Sequence, residues 1–262
     1  MKTPSPLPPP SDWDHVAGWY DQQLQAEGPS HHSKVIIPGV SRLLDCTVGR
    51  RVLDIACGQG VVCRAMAEAG ANVVGVDASE NLIAMARRRC RYPDRESYFC
   101  GDARKLVEIP ELLPESFDSA VCILAIQNMT PLSPVWQGCR RLLKGGGHLL
   151  VVMIHPCFRV PRKSSWQWDE HNLSQYRRID TYLTSEKIPI VMHPGSSPDI
   201  TTLTFHRPLQ AYVNTLASAD LLVDHVDEWI SHKSPPAGKR FTAVDRSRRE
   251  IPLFLALRSR AV

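Results

Sequence analysis

The stretch that decides the fold is Arg51-Val52-Leu53-Asp54-Ile55-Ala56-Cys57-Gly58-Gln59-Gly60. An apolar run ends in an acid and breaks at two glycines before an alanine-rich sequence, the pattern of a strand, a tight turn and a helix. Glycines at 58 and 60 let the backbone turn sharply and let a ligand approach closely, while the following helix offers unpaired N–H groups. The expected occupant is a nucleotide-like cofactor.

Asn72-Val73-Val74-Gly75-Val76-Asp77 is a second short strand that also ends in an acid, and Ser79 is placed to cap a helix running through Arg91. An acid at this point can accept hydrogen bonds from ribose hydroxyls, as in dinucleotide and S-adenosylmethionine sites. The dinucleotide fingerprint asks for a third glycine, and Gly58-Gln59-Gly60-Val61-Val62-Cys63 has cysteine there, which argues against NAD.

These residues resemble the class I S-adenosylmethionine-dependent methyltransferases, in particular the small-molecule group that includes the quinone-biosynthesis methyltransferases. The resemblance covers roughly residues 50 to 155. Val52-Leu53-Asp54-Ile55-Ala56-Cys57-Gly58-Gln59-Gly60 matches the first motif, with Ala56 where a glycine often stands, and Asp77 matches the ribose-binding acid. Gly101-Asp102-Ala103 matches the motif at the adenine edge. The run from Phe117 to Asn128 matches the fourth strand with its cofactor-facing end, and Arg140 to Val152 matches the helix, glycine turn and fifth strand.

The resemblance implies an α/β fold: a Rossmann-like, seven-stranded methyltransferase sheet, mostly parallel with an antiparallel last strand, and helices on both faces. It implies S-adenosyl-L-methionine as cofactor, held by Asp54, Ala56, Cys57, Gly58, Gly60, Asp77, Ala78, Asp102, Ala103, Ile126 and Gln127. The alternation of strand and helix through Ile154 independently argues for a parallel sheet covered on both faces. Ligands in such sheets bind outside the carboxyl ends of the strands, where Asp54, Asp77, Asp102 and Ile126-Gln127 converge.

The N-terminal residues 1–10 contain five prolines and read as a disordered tail. The rest, 11–262, reads as one domain: an N-terminal helical cover over 11–48, a cofactor-binding core over 49–154, a substrate lid inserted after the fifth strand over 155–207, and a C-terminal helix and strands over 208–262. Helices are expected from Ser11 onward and near Lys34 to Leu44. A strand is expected over Thr201 to His206, a helix from Pro208 to about Ala219, a sixth strand over Leu221 to Trp229 and a last one over Ile251 to Arg258, inserted antiparallel between the fifth and sixth.

From His155 to about Ile200 no periodicity is sustained, and a segment of this kind in a compact domain is usually a functional cover. Trp166 and Trp168 can stack on a flat acceptor, and Arg159, Arg162, Arg177 and Arg178 can pair with a carboxylate or phosphate. Trp19, Tyr20 and Asn128 are further candidates for the acceptor pocket. His155, directly after the fifth strand, is the first choice for a catalytic base and also a candidate acceptor contact, followed by His206 and His193.

With 43% hydrophobic residues in 262, the chain can fill one such core. No apolar run approaches the roughly 20 residues of a membrane span, and the N-terminus lacks the features of a secretory signal, so a cytoplasmic location is expected. Eight cysteines without a C-x-x-C pair read as reduced thiols, and no metal site is expected. The formal net charge is +4. Between Ser231 and Glu250 six basic residues stand against Asp245 and Glu250, a basic loop able to attract an anionic acceptor or RNA.

The expected function is methyl transfer to a small-molecule acceptor, anionic or aromatic, by in-line displacement in a closed pocket. The alternatives are methylation of RNA (tRNA or rRNA) and non-catalytic binding of S-adenosylmethionine. Against RNA, the place after the fourth strand reads Ala125-Ile126-Gln127-Asn128 instead of an N-P-P-[YF] type motif, and no appended RNA-binding module is visible.

Overall fold

The computed structural model describes residues 30–193 and 197–262. The expected tail over 1–10 and the helix from Ser11, with Trp19 and Tyr20, lie outside the described residues. Strand β1 (Arg51–Ile55) lies inside the sheet, between β2 (Asn72–Asp77) and β4 (Phe117–Ile123), and pairs in parallel with both. Four of its five residues are buried, as expected for a strand covered on both faces. With β3 (Glu96–Cys100), β5 (Leu143–Ile154), β10 (Leu221–Trp229) and β11 (Phe254–Ala261) it forms a seven-stranded sheet in the order β10-β11-β5-β4-β1-β2-β3. The last strand, β11, runs antiparallel between β5 and β10, as the family resemblance implies.

Two apolar layers sandwich this sheet. On one face α1 (Ile37–Leu43), α2 (Val61–Glu68) and α3 (Glu80–Arg88) bury Val40, Val62, Met66 and Ile83 together with Val52 of β1. On the other, α4 (Ser133–Leu142) and α5 (Leu209–Ala217) pack Trp136, Cys139 and Leu216 against Leu53 and Ile55. Alternation along β1 explains the division, since neighbouring strand residues point to opposite faces. It also sends Asp54, between Leu53 and Ile55, to the α2 side.

Helix α3 begins where Ser79 predicts: its hydroxyl accepts from the Leu82 N–H at 3.1 Å. The last strand begins three residues later than the sequence suggests. Pro252 has no N–H to give to a ladder, so pairing with β5 opens at Phe254 opposite Ile154. All eight cysteines are free thiols; Cys100 is exposed, and the others are buried or half-buried.

The insertion after β5 is regular, contrary to the absence of periodicity in its sequence. It contains two antiparallel hairpins, β6 (Ser164–Asp169) with β7 (Ser174–Ile179), and β8 (Glu186–His193) with β9 (Ser197–His206). The basic segment is likewise no plain loop: Phe241–Glu250 forms helix α6, which packs on β7. Ser247, the one buried residue of that helix, donates its hydroxyl to Gln175 at 2.8 Å.

Candidate active site

The turn after β1 carries three left-handed residues, Ala56 (φ 56°), Gly58 (φ 56°) and Gly60 (φ 79°). At Gly60 the need for glycine is double, because an added Cβ would stand 2.7 Å from the hydroxyl oxygen of buried Tyr98. Ala56 holds the same backbone region without glycine's freedom, and strain of that kind is held by its surroundings. Here the Cys57 N–H donates to the Val76 carbonyl at 3.0 Å and pins the turn to β2.

Asp77 ends β2 beside this turn. Its carboxylate accepts from the backbone N–H of Gly58 at 2.9 Å and of Ser79 at 2.9 Å, and the residue is 8% exposed. Asp54 lies deeper, 1% exposed, with the Cys63 thiol donating to it at 3.1 Å. Burial pushes its pKa up to about 7, and the neighbouring Asp77 charge adds to the rise while the thiol hydrogen bond opposes it.

An open cleft of about 360 Å³ is lined by Asp54, Ala56, Cys57, Gly58, Gln59, Val61, Val62, Ile123 and His32. Four of the expected cofactor residues thus share one concavity at the carboxyl end of β1, with Asp77 hydrogen-bonded to its rim. The structure adds His32, from the π-helical turn His32–Ile36 that precedes α1, and Gln59, a buried residue whose side-chain carbonyl accepts from Arg64 and Arg89. Neither is singled out in the sequence: His32 lies outside any motif, and Gln59 lies within the first motif but carries no assigned role. Burial lowers the pKa of His32, and His31 lowers it further.

Other expected contacts stand differently. Asp102 does sit at the end of β3, opening a short 3-10 helix at Ala103, which is itself buried. However, both its carboxylate oxygens are taken by Arg104, whose Nε stands 2.9 and 3.0 Å away and whose Nη2 stands 2.5 Å away. Arg104 and the other nearby basic group hold the carboxyl below its usual pKa against the cost of burial. Arg104 thus fixes the orientation of the carboxylate that was expected to meet an adenine amino group. Ala78, between Asp77 and Ser79, is exposed.

Ile126 is fully buried in the core, so its side chain packs inward and does not offer itself to a ligand. Gln127 is the more informative neighbour. Its amide nitrogen donates to the Leu124 carbonyl at 2.6 Å, and its side-chain oxygen is buried without a hydrogen-bond partner. A buried acceptor of this kind is costly unless a ligand or water satisfies it. The hairpin β8–β9 lies over this segment, with the Thr204 hydroxyl 3.4 Å from the Gln127 backbone carbonyl; Asn128 beside it is half-buried.

The two histidines do not have the geometry expected of a base. His155 is 1% exposed, its Nδ1 accepts the Cys157 N–H at 3.2 Å and its Nε2 lies 2.6 Å from Glu228. The proton therefore sits on Nε2 and the remaining lone pair is already used. His206, also buried, donates from Nε2 to the Tyr182 carbonyl at 2.7 Å. Neither lines the cleft. The side chain of His193 lies outside the described residues, as do Trp19 and Tyr20.

Trp166 and Trp168 meet arginines. The Arg159 and Arg177 guanidinium groups lie 5.1 and 5.4 Å from the Trp166 ring centre, and Arg240 lies 4.3 Å from that of Trp168. Arg178 instead pairs with Asp180 at the surface, and Arg162 donates to the Pro189 carbonyl. Among the described residues, no helix is long and apolar enough to cross a membrane.

The cleft and the residues next to it fit a nucleoside cofactor: left-handed small residues and buried Asp54 in the lining, Asp77 bonded to its Gly58, and the unsatisfied Gln127 oxygen just past the end of β4. The methyltransferase domain family matches residues 53–151, from β1 to β5. The ubiquinone biosynthesis O-methyltransferase of Pseudomonas aeruginosa is 35% identical over 109 residues, which cover 41% of this chain and 45% of that protein. The enzyme of the same description from Ralstonia nicotianae is 37% identical over 112 residues, 41% of this chain and 44% of its own. The chain thus spans about half the length of the curated relatives it matches.

A solved S-adenosylmethionine-dependent methyltransferase from Mesorhizobium loti superposes with a TM-score of 0.67 at 26% identity, covering 88% of this chain and 98% of that one. The match runs from β1 to β5, the span that holds the glycine turn and Asp77, so in motif and fold this chain resembles the class I S-adenosylmethionine-dependent methyltransferases and, among them, the quinone-biosynthesis methyltransferases.

Proposed function

We propose that this protein transfers a methyl group from S-adenosylmethionine to an oxygen of a small organic acceptor held beneath the β8–β9 hairpin. The observation that carries the reading is the placement of the cleft at Asp54, the Ala56–Gly60 turn and the Asp77-bonded Gly58, with the unsatisfied oxygen of Gln127 at the end of β4. Oxygen as the methylated atom is supported by the curated relatives, which are named as O-methyltransferases.

When bound, S-adenosylmethionine supplies an electrophilic methyl on a sulfonium sulfur. The chain's contribution is positioning and exclusion of water, which can account for most of the acceleration of an in-line transfer. In this reading Asp77 holds the ribose, the glycine turn admits the cofactor's chain, Asp54 meets its positive charge and Gln127 presents an acceptor at the far wall. Residues 49–154 then hold the cofactor, 155–207 cover the acceptor and 208–262 complete the sheet. His155 and His206 are not used as bases, since one has no free lone pair and both are buried away from the cleft.

The test is calorimetric binding of S-adenosylmethionine, followed by turnover against a pool of phenolic and catecholic small molecules, read as release of S-adenosylhomocysteine. Total tRNA and rRNA are run in parallel. Methylation of RNA alone, or cofactor binding without any turnover, counts against the proposal.

A further inference from the structure

Three half-buried arginines of the insertion and α6 have no carboxylate partner among the described residues. On the same surface Arg178 pairs with Asp180, Arg240 with Glu170 and Arg249 with Asp245, at 2.5, 2.6 and 2.8 Å. The three without one are Arg159, Arg177 and Arg248. Arg159 and Arg177 are anchored by neutral acceptors only. Arg159 donates to the carbonyls of Pro252 and Ile251 at 3.2 and 3.3 Å, and Arg177 to the Phe158 carbonyl and the Ser164 hydroxyl at 2.8 and 2.7 Å.

Each guanidinium has five N–H bonds in a fixed fork, so these anchors orient Arg159 and Arg177 and leave further donors over. Trp166 fixes them further: it sits opposite Arg177 in the β6–β7 register, and both guanidinium groups lie by its ring. The indole N–H of Trp168, two residues along the same face, is buried with no acceptor. The whole cluster has donors and positive charge in excess. Burial, then the Arg177 and Arg248 charges, bring the Arg159 pKa down to about 10, the direction expected when like charges are held together without a counterion.

We propose that Arg159 and Arg177, held beside Trp166, together with Arg248 from the helix packed on β7, form an oxyanion site that holds a carboxylate or phosphate group of the acceptor. This rests on the small-molecule reading above and deepens it. Its place in the fold suits that task. The Arg159 N–H donates to the His155 carbonyl, so the cluster begins one turn past the end of β5 and is tied to the residues leading into β11. Strands lie about 4.8 Å apart, so β5, two strands from β1, stands roughly 10 Å from it across the sheet, and the cluster begins past its end. An acceptor with its acid at one end and its methylated atom at the other would span that gap. Bidentate arginine pairs are the geometry best matched to such groups.

The full chain is titrated with inorganic phosphate, with benzoate and with chloride at constant ionic strength, following the indole N–H resonances of Trp166 and Trp168, assigned with the Phe variants. A saturable shift is expected with phosphate or with benzoate and none with chloride, and the better binder tells phosphate from carboxylate. Arg177→Gln and Arg248→Gln are expected to raise the Kd at least tenfold. Arg178→Gln, which removes the same charge from the same hairpin, should leave it within twofold, and Arg177→Lys guards against misfolding by keeping the charge. No saturable shift with either anion, or an equal loss in Arg178→Gln, overturns the site. Turnover then compares phenolic acids with their amides: equal efficiency overturns the acceptor role. Anion binding without methylation of any small molecule would instead refute the function proposed above and leave the oxyanion site standing.

Discussion

The carboxylate of Asp77 accepts the backbone N–H of Gly58 across 2.9 Å, joining the end of β2 to the turn that follows β1. One acid thus shapes the approach and stands ready for a ribose. Asp77→Ala is expected to weaken S-adenosylmethionine binding by about 1.5–3 kcal/mol, the range for hydrogen bonds to a charged group. It should also lower the melting temperature of the free protein, because the Gly58 and Ser79 amides lose their acceptor. Calorimetry and a thermal scan separate the two effects. Unchanged affinity in a folded variant would remove Asp77 from the site.

Asp54 gives the protein a signed pH dependence. Its pKa is near 3.8 in the unfolded chain and about 7 in the fold, so between these values the folded state binds more protons. This group's contribution to stability is therefore complete at acid pH and is lost as pH rises toward 7, with no further change above. Asp54→Asn should flatten that slope between pH 5 and 7 in thermal scans. A cofactor carrying positive charge should favour ionised Asp54, so its binding should release protons near pH 6.5, visible as a buffer-dependent calorimetric enthalpy. Identical enthalpies in buffers of different ionisation heat would refute it.

Gly60→Ala tests the turn itself. The left-handed backbone costs a non-glycine residue about 1–2 kcal/mol, and the new methyl would meet the Tyr98 hydroxyl, held by Glu96. Chemical denaturation should show a loss of at least that size together with weakened cofactor binding. A variant as stable as the parent would mean that the turn adopts another conformation.

The core was legible in the sequence because local signals and global fold agree there. Asp54, the glycines and Asp77 mark strand ends, Ser79 marks a cap, and the sheet order follows from the family resemblance. Two regions were misread for physical reasons. In β6 the Trp166-Gln167-Trp168 alternation was a strand signal, but it extends over too few residues to stand out among prolines and charges. In α6 only Ser247 is buried, so the helix lacks the apolar stripe that would announce it. Tertiary partners were not legible from position: Asp102 and His155 stand where expected, but Arg104 and Glu228 are bonded to them. No local pattern predicts such tertiary partners.

The insertion should separate acceptor from cofactor. Trp166→Ala removes the ring beside Arg159 and Arg177 but touches nothing in the cleft, so turnover should fall while cofactor affinity stays within about threefold, roughly 0.7 kcal/mol. Hydrogen exchange in β6–β9 should slow on adding S-adenosylhomocysteine with an acceptor, and more than in β1–β5. Collapse of cofactor affinity would assign the insertion to the cofactor site, and no change in either quantity would make it scaffold.

His155 decides between a base and a clamp. Its Nδ1 is engaged by the Cys157 N–H and its Nε2 by Glu228, so one imidazole ties the end of β5 to β10 and to the start of the insertion. Burial lowers its pKa, and Glu228 opposes this only in part, so the ring is neutral at pH 7. A lowered histidine pKa means the unfolded chain protonates first on acidification, so this group's contribution to stability is present above pH 6.5 and declines below it. His155→Gln should lower stability by about 1–3 kcal/mol through the orphaned partners and remove that acid decline. It should leave the pH dependence of kcat otherwise intact, because no proton of the reaction passes through the ring. Glu228→Gln, which keeps a hydrogen-bond acceptor for Nε2, should preserve most of the stability and all of the turnover. A base would behave in the opposite way: the acidic limb of kcat would disappear in His155→Gln while the melting temperature stayed within a degree or two of the parent. That outcome would require Nδ1 to exchange the Cys157 N–H for an acceptor hydroxyl during turnover, and would return His155 to the chemistry.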